Sequence, residues 1–172
     1  MPEYDAAKES TVTLQARLAR HVLMKGFQAG SFVGVVAAVP IQALLTRSIS
    51  LPKVVRAAGI SSIVGTGLTG AMLANKMQSI DREGYEDRVY RLYYNEGQNH
   101  VDEVCSWATL LGLAGGFALS SLGLAPATGL HFIGSAATGS AAGLLAAIMT
   151  MPAKHAKPVA QMVEDHVKLP GN

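Results

Sequence analysis

Histidines, one cysteine and a band of loop carboxylates are the side chains in this sequence that could carry chemistry. His21, His100, His131, His155 and His166 are scattered, with no two at metal-ligand spacing on one helix, so no metal centre is expected. His131 alone falls within an apolar stretch, near its turn. There a polar side chain at a membrane boundary is the plain reading, and a proton relay the sharper one. Cys105 is the only cysteine, which rules out an intrachain disulfide and a cysteine-based cluster. Opening an apolar segment, it reads as an inert thiol. Gly65, Gly67 and Gly70 match the dinucleotide fingerprint in form. That motif needs a strand before it and a helix after it to aim backbone N–H groups at a pyrophosphate, whereas these glycines lie inside an uncharged helical run. Asp81, Glu83, Glu86, Asp87, Glu96, Asp102 and Glu103 crowd one polar stretch. Nothing nucleophilic or metal-binding converges on them, and a solvated face accounts for them better than general acid–base catalysis does. Neither a catalytic residue, a metal nor a cofactor is expected, with bound phospholipid the one small molecule to allow for.

The richer signal in that polar stretch is aromatic. Tyr85, Tyr90, Tyr93 and Tyr94 fall within ten residues, interleaved with Arg88 and Arg91. Pairs four apart (Arg82 with Glu86, Asp87 with Arg91) each support a helix by a few tenths of a kcal/mol. On it Tyr85, Val89, Leu92 and Tyr93 share a face, flanked by Tyr90 and Tyr94, and Asn95-Glu96-Gly97 should break it. Tyr and Arg favour protein interfaces, which makes these six Tyr and Arg residues candidates for partner binding. The competing reading is a belt helix resting at the headgroup level.

What positions this segment is a set of long apolar runs. Residues 104–153 contain no Asp, Glu, Lys or Arg, and turn residues interrupt them only at 125–129. The halves on either side each hold about the 20 residues that a helix needs to cross roughly 30 Å of hydrocarbon. Two further runs precede them, giving spans at 26–46, 56–76, 104–124 and 130–151, with a polar helical loop at 77–103. Small residues recur every fourth position in all four: Gly26, Gly30, Gly34 and Ala38; Ala58, Ser62, Thr66, Gly70 and Ala74; Ala108, Gly112, Gly116 and Ser120; Ser135, Gly139, Gly143 and Ala147. Such rows let helix backbones approach closely in lipid, where apolar burial does not drive association. The expected fold is all-α: an integral membrane bundle of four transmembrane helices at 26–151, arranged as two hairpins. Pro40 should kink the first span, which a membrane helix tolerates when neighbours satisfy the freed carbonyl.

Flanking the bundle are a polar N-terminal segment, 1–25, and a C-terminal tail, 152–172. Leu14, Leu18 and Val22 repeat at every fourth residue opposite Gln15, Arg17 and Lys25. This predicts a short amphipathic helix that either lies at the membrane interface or touches a partner. Val159, Met162, Val163 and Val167 mark a weaker docking helix over 158–168. Glu3, Asp5 and Glu9 make the start a poor cleavable presequence, which would be Arg-rich and acid-poor.

Bulk composition agrees with a membrane domain. Charged residues are 15% and the mean hydropathy is +0.27, respectively low and high for a soluble chain. A net charge of +2 with no basic block argues against nucleic-acid partners. The short connection after the first span carries Arg47, Lys53 and Arg56 and no acid, whereas 76–103 is rich in acids. The positive-inside rule places the basic loop on the matrix or cytoplasmic side, with both termini and the acidic loop opposite.

Four spans in under two hundred residues, opened by Gly26, Gly30 and Gly34, with small rows in the others, resemble the family of mitochondrial inner-membrane protein translocase channels. That family also contains plastid pore-like proteins and an accessory subunit of respiratory complex I. The resemblance covers roughly 26–151. It implies an inner-membrane protein with its termini and the 77–103 loop in the intermembrane space. Channel subunits usually keep the loop between spans two and three short. The long Tyr-rich segment here, together with spans that lack charge, is what points to the complex I branch. The function so implied is a non-catalytic scaffold subunit that stabilises or assembles the membrane arm, with other membrane subunits and lipids as partners. A subunit of an inner-membrane translocase or a related organellar pore is the alternative.

Overall fold

The computed structural model describes residues 5–151 and is all-helical. After a short 3-10 turn at Ala6–Lys8 come α1 (Thr11–Thr46), α2 (Leu51–Met77), α3 (Arg82–Tyr94), α4 (Glu96–Ser121) and α5 (Gly129–Thr150). All but α3 are long and apolar enough to cross a membrane. The segment 158–168 lies outside the described residues.

Local chemistry sets the ends. Ser10, Asp81, Asn95 and Thr128 each accept a hydrogen bond from a backbone N–H three residues on, satisfying donors that a helix start leaves orphaned. Pro52 sits in the first turn of α2, where a missing N–H costs nothing. Arg47, at φ 51°, closes α1 in the left-handed conformation.

Two expected boundaries move. The amphipathic N-terminal segment and the first span form one helix of 36 residues, about 54 Å long at 1.5 Å per residue. A membrane boundary changes the solvent without breaking the helix, and nothing between Ser10 and Pro40 stops the backbone ladder. Likewise only Asn95 interrupts the chain between α3 and α4. Asn95 caps α4, and Glu96 and Gly97 are already helical.

The helices pair as two hairpins, α1 with α2 and α4 with α5, while α5 also packs on α2 and α1. Backbone proximity defines these contacts. A Cβ on Gly30 would overlap the Ser61 carbonyl and stand 2.9 Å from Ser62 Cα, and one on Gly112 would overlap the Ser135 carbonyl and stand 3.0 Å from Gly139 Cα. Such closeness is the use of small residues in lipid-embedded pairs.

One end of the bundle carries a separate apolar cluster. Leu14 and Leu18 of α1, Leu73 of α2, and Tyr85 and Val89 of α3 are buried together, with Val22, Ile80 and Leu92 packed around them. Tyr85 is only 2% exposed and its hydroxyl donates to the Met77 carbonyl at 3.1 Å. The amphipathic face of α1 is therefore covered by the chain's own α3, which corrects the expectation that it lies on the membrane interface or on a partner. We predict that Tyr85→Ala costs about 3 kcal/mol and lowers the thermal midpoint in detergent.

Candidate functional site

The first turns of α1, all of α3 and the first turns of α4 converge at the bundle end that bears the acids. Residues 85, 89 and 92 are helical neighbours on the face of α3 that packs on α1. Residues 90 and 94 rotate away from that face by the 3.6-residue period, and 93, one turn beyond 89, lies at its edge. Tyr90, Tyr93 and Tyr94 are accordingly 48%, 42% and 45% exposed. Their rings touch each other: Tyr90 and Tyr94 lie 4.6 Å apart between centroids, and Tyr93 meets Tyr94 edge-on at 5.2 Å. The result is an ordered aromatic patch on the outer flank of α3.

The burial of Tyr85 removes it from the partner-binding candidates, whereas Tyr93, on the edge of the face it shares with Val89 and Leu92, lines a groove against His21 and Met24 of α1 and still stays exposed. In sequence the spacing of Tyr85 suits either face, and only the Leu14–Leu18 stripe of α1 decides between them. The arginines are partly engaged at home. Arg88 Nη1 donates to the Gly84 carbonyl at 2.7 Å, and Arg91 Nε donates to Asp87 at 2.9 Å. Arg91 remains largely exposed and keeps guanidinium donors for an acidic group. Arg82 ties the N-terminal turn to α3, donating to the Ala7 and Glu9 carbonyls and to Glu86.

Beneath the patch lies a polar cluster that the pattern of the sequence did not expose. Asp102, near the start of α4, receives Lys25 Nζ at 2.5 Å on Oδ1 and faces His21 Nδ1 at 3.3 Å through Oδ2. Gln28, almost fully buried, accepts from Lys25 at 3.1 Å and donates weakly to Asp102 at 3.4 Å. Ser106 donates to the Asp102 carbonyl at 2.6 Å. The group couples α1 to α4, two helices whose main partners are otherwise α2 and α5. Asp102 is thus not part of a solvated acidic face. The available signal was placement: Lys25 borders the first span and Asp102 the third, on the same predicted side, with His21 one turn before Lys25. We predict that Asp102→Ala destabilises the fold by about 2 kcal/mol. That is less than breaking a fully buried pair, because water still reaches these groups. Asp102→Asn, keeping two acceptor contacts, should cost less, and thermal unfolding in detergent measures both.

The packing residues distribute as follows. Gly26, Gly30 and Gly34 of α1 lie against α2, but the positions opposing them are Ala58, Ser61, Ser62, Gly65 and Thr69. Ser62 is fully buried; Thr66 donates to the Ser62 carbonyl, and Gly70 abuts Leu23. Ala108, Gly112 and Gly116 of α4 face Ser135, Gly139 and Gly143 of α5. A further crossing, missed by the four-residue rows, joins the two hairpins. A Cβ on Gly59 of α2 would stand 3.0 Å from Gly134 Cα of α5, and one on Gly134 would overlap the Val55 carbonyl. Gly59 and Gly134 fall outside the two rows because each helix of a bundle can present a second contact stripe. The glycines at 65, 67 and 70 all sit within α2, with their backbone in the helix.

The arrangement can hold a protein surface at a membrane face. A rigid bundle carries α3, α3 is anchored on one side by Tyr85 and Val89, and its other side offers aromatic area beside Arg91. Tyr supplies large contact area at low entropic cost, and its hydroxyl tolerates a partly wet interface. Compared with known proteins, residues 13–153 match a family model described as "Protein of unknown function (DUF1757)". No curated protein matches the chain.

Proposed function

From the premise that the chain belongs to the DUF1757 family, we propose that it is a non-catalytic scaffold subunit of a larger membrane assembly. The exposed tyrosine patch on α3 carries this reading, since aromatic surface beside arginine is the composition of a protein interface. The outer side of α4, with Trp107, Leu110, Leu111 and Phe117 exposed, would face lipid or a neighbouring helix along the membrane. The assembly indicated by the sequence resemblance is the membrane arm of mitochondrial respiratory complex I. The chain would then sit in the inner membrane, with α3 and both termini on the intermembrane-space side and the basic connection in the matrix.

Native electrophoresis of membranes containing the tagged full chain tests the assignment. Co-migration with NADH dehydrogenase activity is the expected result. Migration with a protein translocase instead, or ion conductance of the purified chain in planar bilayers, would move the assignment to the transport branch of the same resemblance.

A further inference from the structure

The end of the bundle opposite α3 has a different chemistry. The α1–α2 and α4–α5 connections are at this end, and a cleft of about 400 Å³ opens between the first turns of α2 and the α4–α5 connection. Leu51 and Val55 of α2, Leu119 and Leu124 near the end of α4, and Leu130 of α5 give it mainly apolar walls, with Arg56 and His131 as polar groups in the lining. The charged residues of 47–56 and 122–131 are Arg47, Lys53 and Arg56, all basic. Arg56 is exposed and makes no ion pair or hydrogen bond among the described residues. His131 Nε2 is buried and likewise without a partner. Buried polar atoms normally have one. α2 and α5 begin here and α1 and α4 end here, so the helix dipoles offset one another and the basic side chains set the charge of this end.

We propose that this cleft binds one anionic phospholipid. Its phosphodiester pairs with the Arg56 guanidinium, whose planar donors suit phosphate oxygens, and an acyl chain runs along Leu119, Leu124 and Leu130. Position selects a lipid over a soluble anion. The cleft lies at the ends of helices that cross the membrane, where headgroups meet acyl chains, and its walls are apolar below the one cation. At the opposite end the basic side chains share the surface with the acids of 81–103, whereas 47–56 and 122–131 contain no acid. This inference needs only that the helices span a membrane, and it holds whichever complex the chain joins.

Native mass spectrometry of the full chain released from nanodiscs tests it, with phosphatidylglycerol and phosphatidylcholine supplied in equal amounts. The expected result is retention of one phosphatidylglycerol about tenfold over phosphatidylcholine, the scale of one charge-assisted hydrogen-bonded pair. Arg56→Gln removes the preference and leaves the melting temperature unchanged, while Arg56→Lys keeps part of it. Equal retention of the two lipids by the wild-type chain overturns the proposal, and so does an unchanged preference in Arg56→Gln. Displacement of phosphatidylglycerol by millimolar inorganic phosphate also overturns it, by making the site one for free phosphate.

Discussion

Gly30→Leu and Gly112→Leu are each expected to prevent the bundle from assembling stably, with a loss on the order of 3 kcal/mol or more. At both positions even one added carbon collides with backbone of the facing helix, not with the movable end of a side chain. Relief would require the helix pair to separate, and separation forfeits the dispersion contacts along its whole length. Two internal controls sharpen the expectation. A Cβ on Gly67 or Gly115 meets nothing within 4 Å, so Gly67→Ala and Gly115→Ala should melt as the wild type does. Leu44 is 82% exposed, and Leu44→Ile should be equally silent. Thermal unfolding of the purified variants in one detergent separates the classes. If Gly30→Leu and Gly112→Leu both melted with the controls, close backbone packing would not be what holds these helices together.

How much of this was readable from the sequence differs by the range of the interaction. Composition alone marks the apolar runs, because twenty uncharged residues have few other uses. The four-residue rows of α4 and α5 run along the face where Gly112, Gly139 and Gly143 meet backbone. Partner choice was less visible. Ala58, Ser62 and Gly70 of the α2 row meet α1, but so do Ser61, Gly65 and Thr69 outside it, since small residues are so frequent in α2 that several stripes fit. Contacts joining distant segments were invisible one segment at a time. Tyr85 looks identical to Tyr90 in composition and differs only in what α1 places against it. Lys25 and Asp102, 77 residues apart, each resemble an ordinary charge flanking a span until the fold brings them together. Helix ends failed for a related reason. Hydropathy reports where the solvent changes, whereas the backbone ladder of α1 and α4 continues into water until a cap stops it.

The interaction surface gives the largest functional expectation. Tyr90 and Tyr93 contribute exposed aromatic area and lie outside the buried α1–α3 cluster, so on the proposed scaffold role truncating them should leave the chain folded while removing its grip on a neighbour. Hot-spot tyrosines at interfaces typically cost 2 kcal/mol or more each when cut to alanine, about 30-fold in affinity. If the proposed scaffold role holds, two together should empty the assembly of this chain at cellular concentrations. Tyr85→Ala is the contrasting variant, lowering stability first and incorporation only as a consequence. The most direct measurement is the fraction of Tyr90→Ala/Tyr93→Ala chain that co-migrates with its assembly on a native gel, taken alongside its melting temperature in detergent. The scaffold account predicts loss of co-migration at an unchanged melting temperature. Normal incorporation of the double variant would contradict it, leaving the patch a headgroup-level belt.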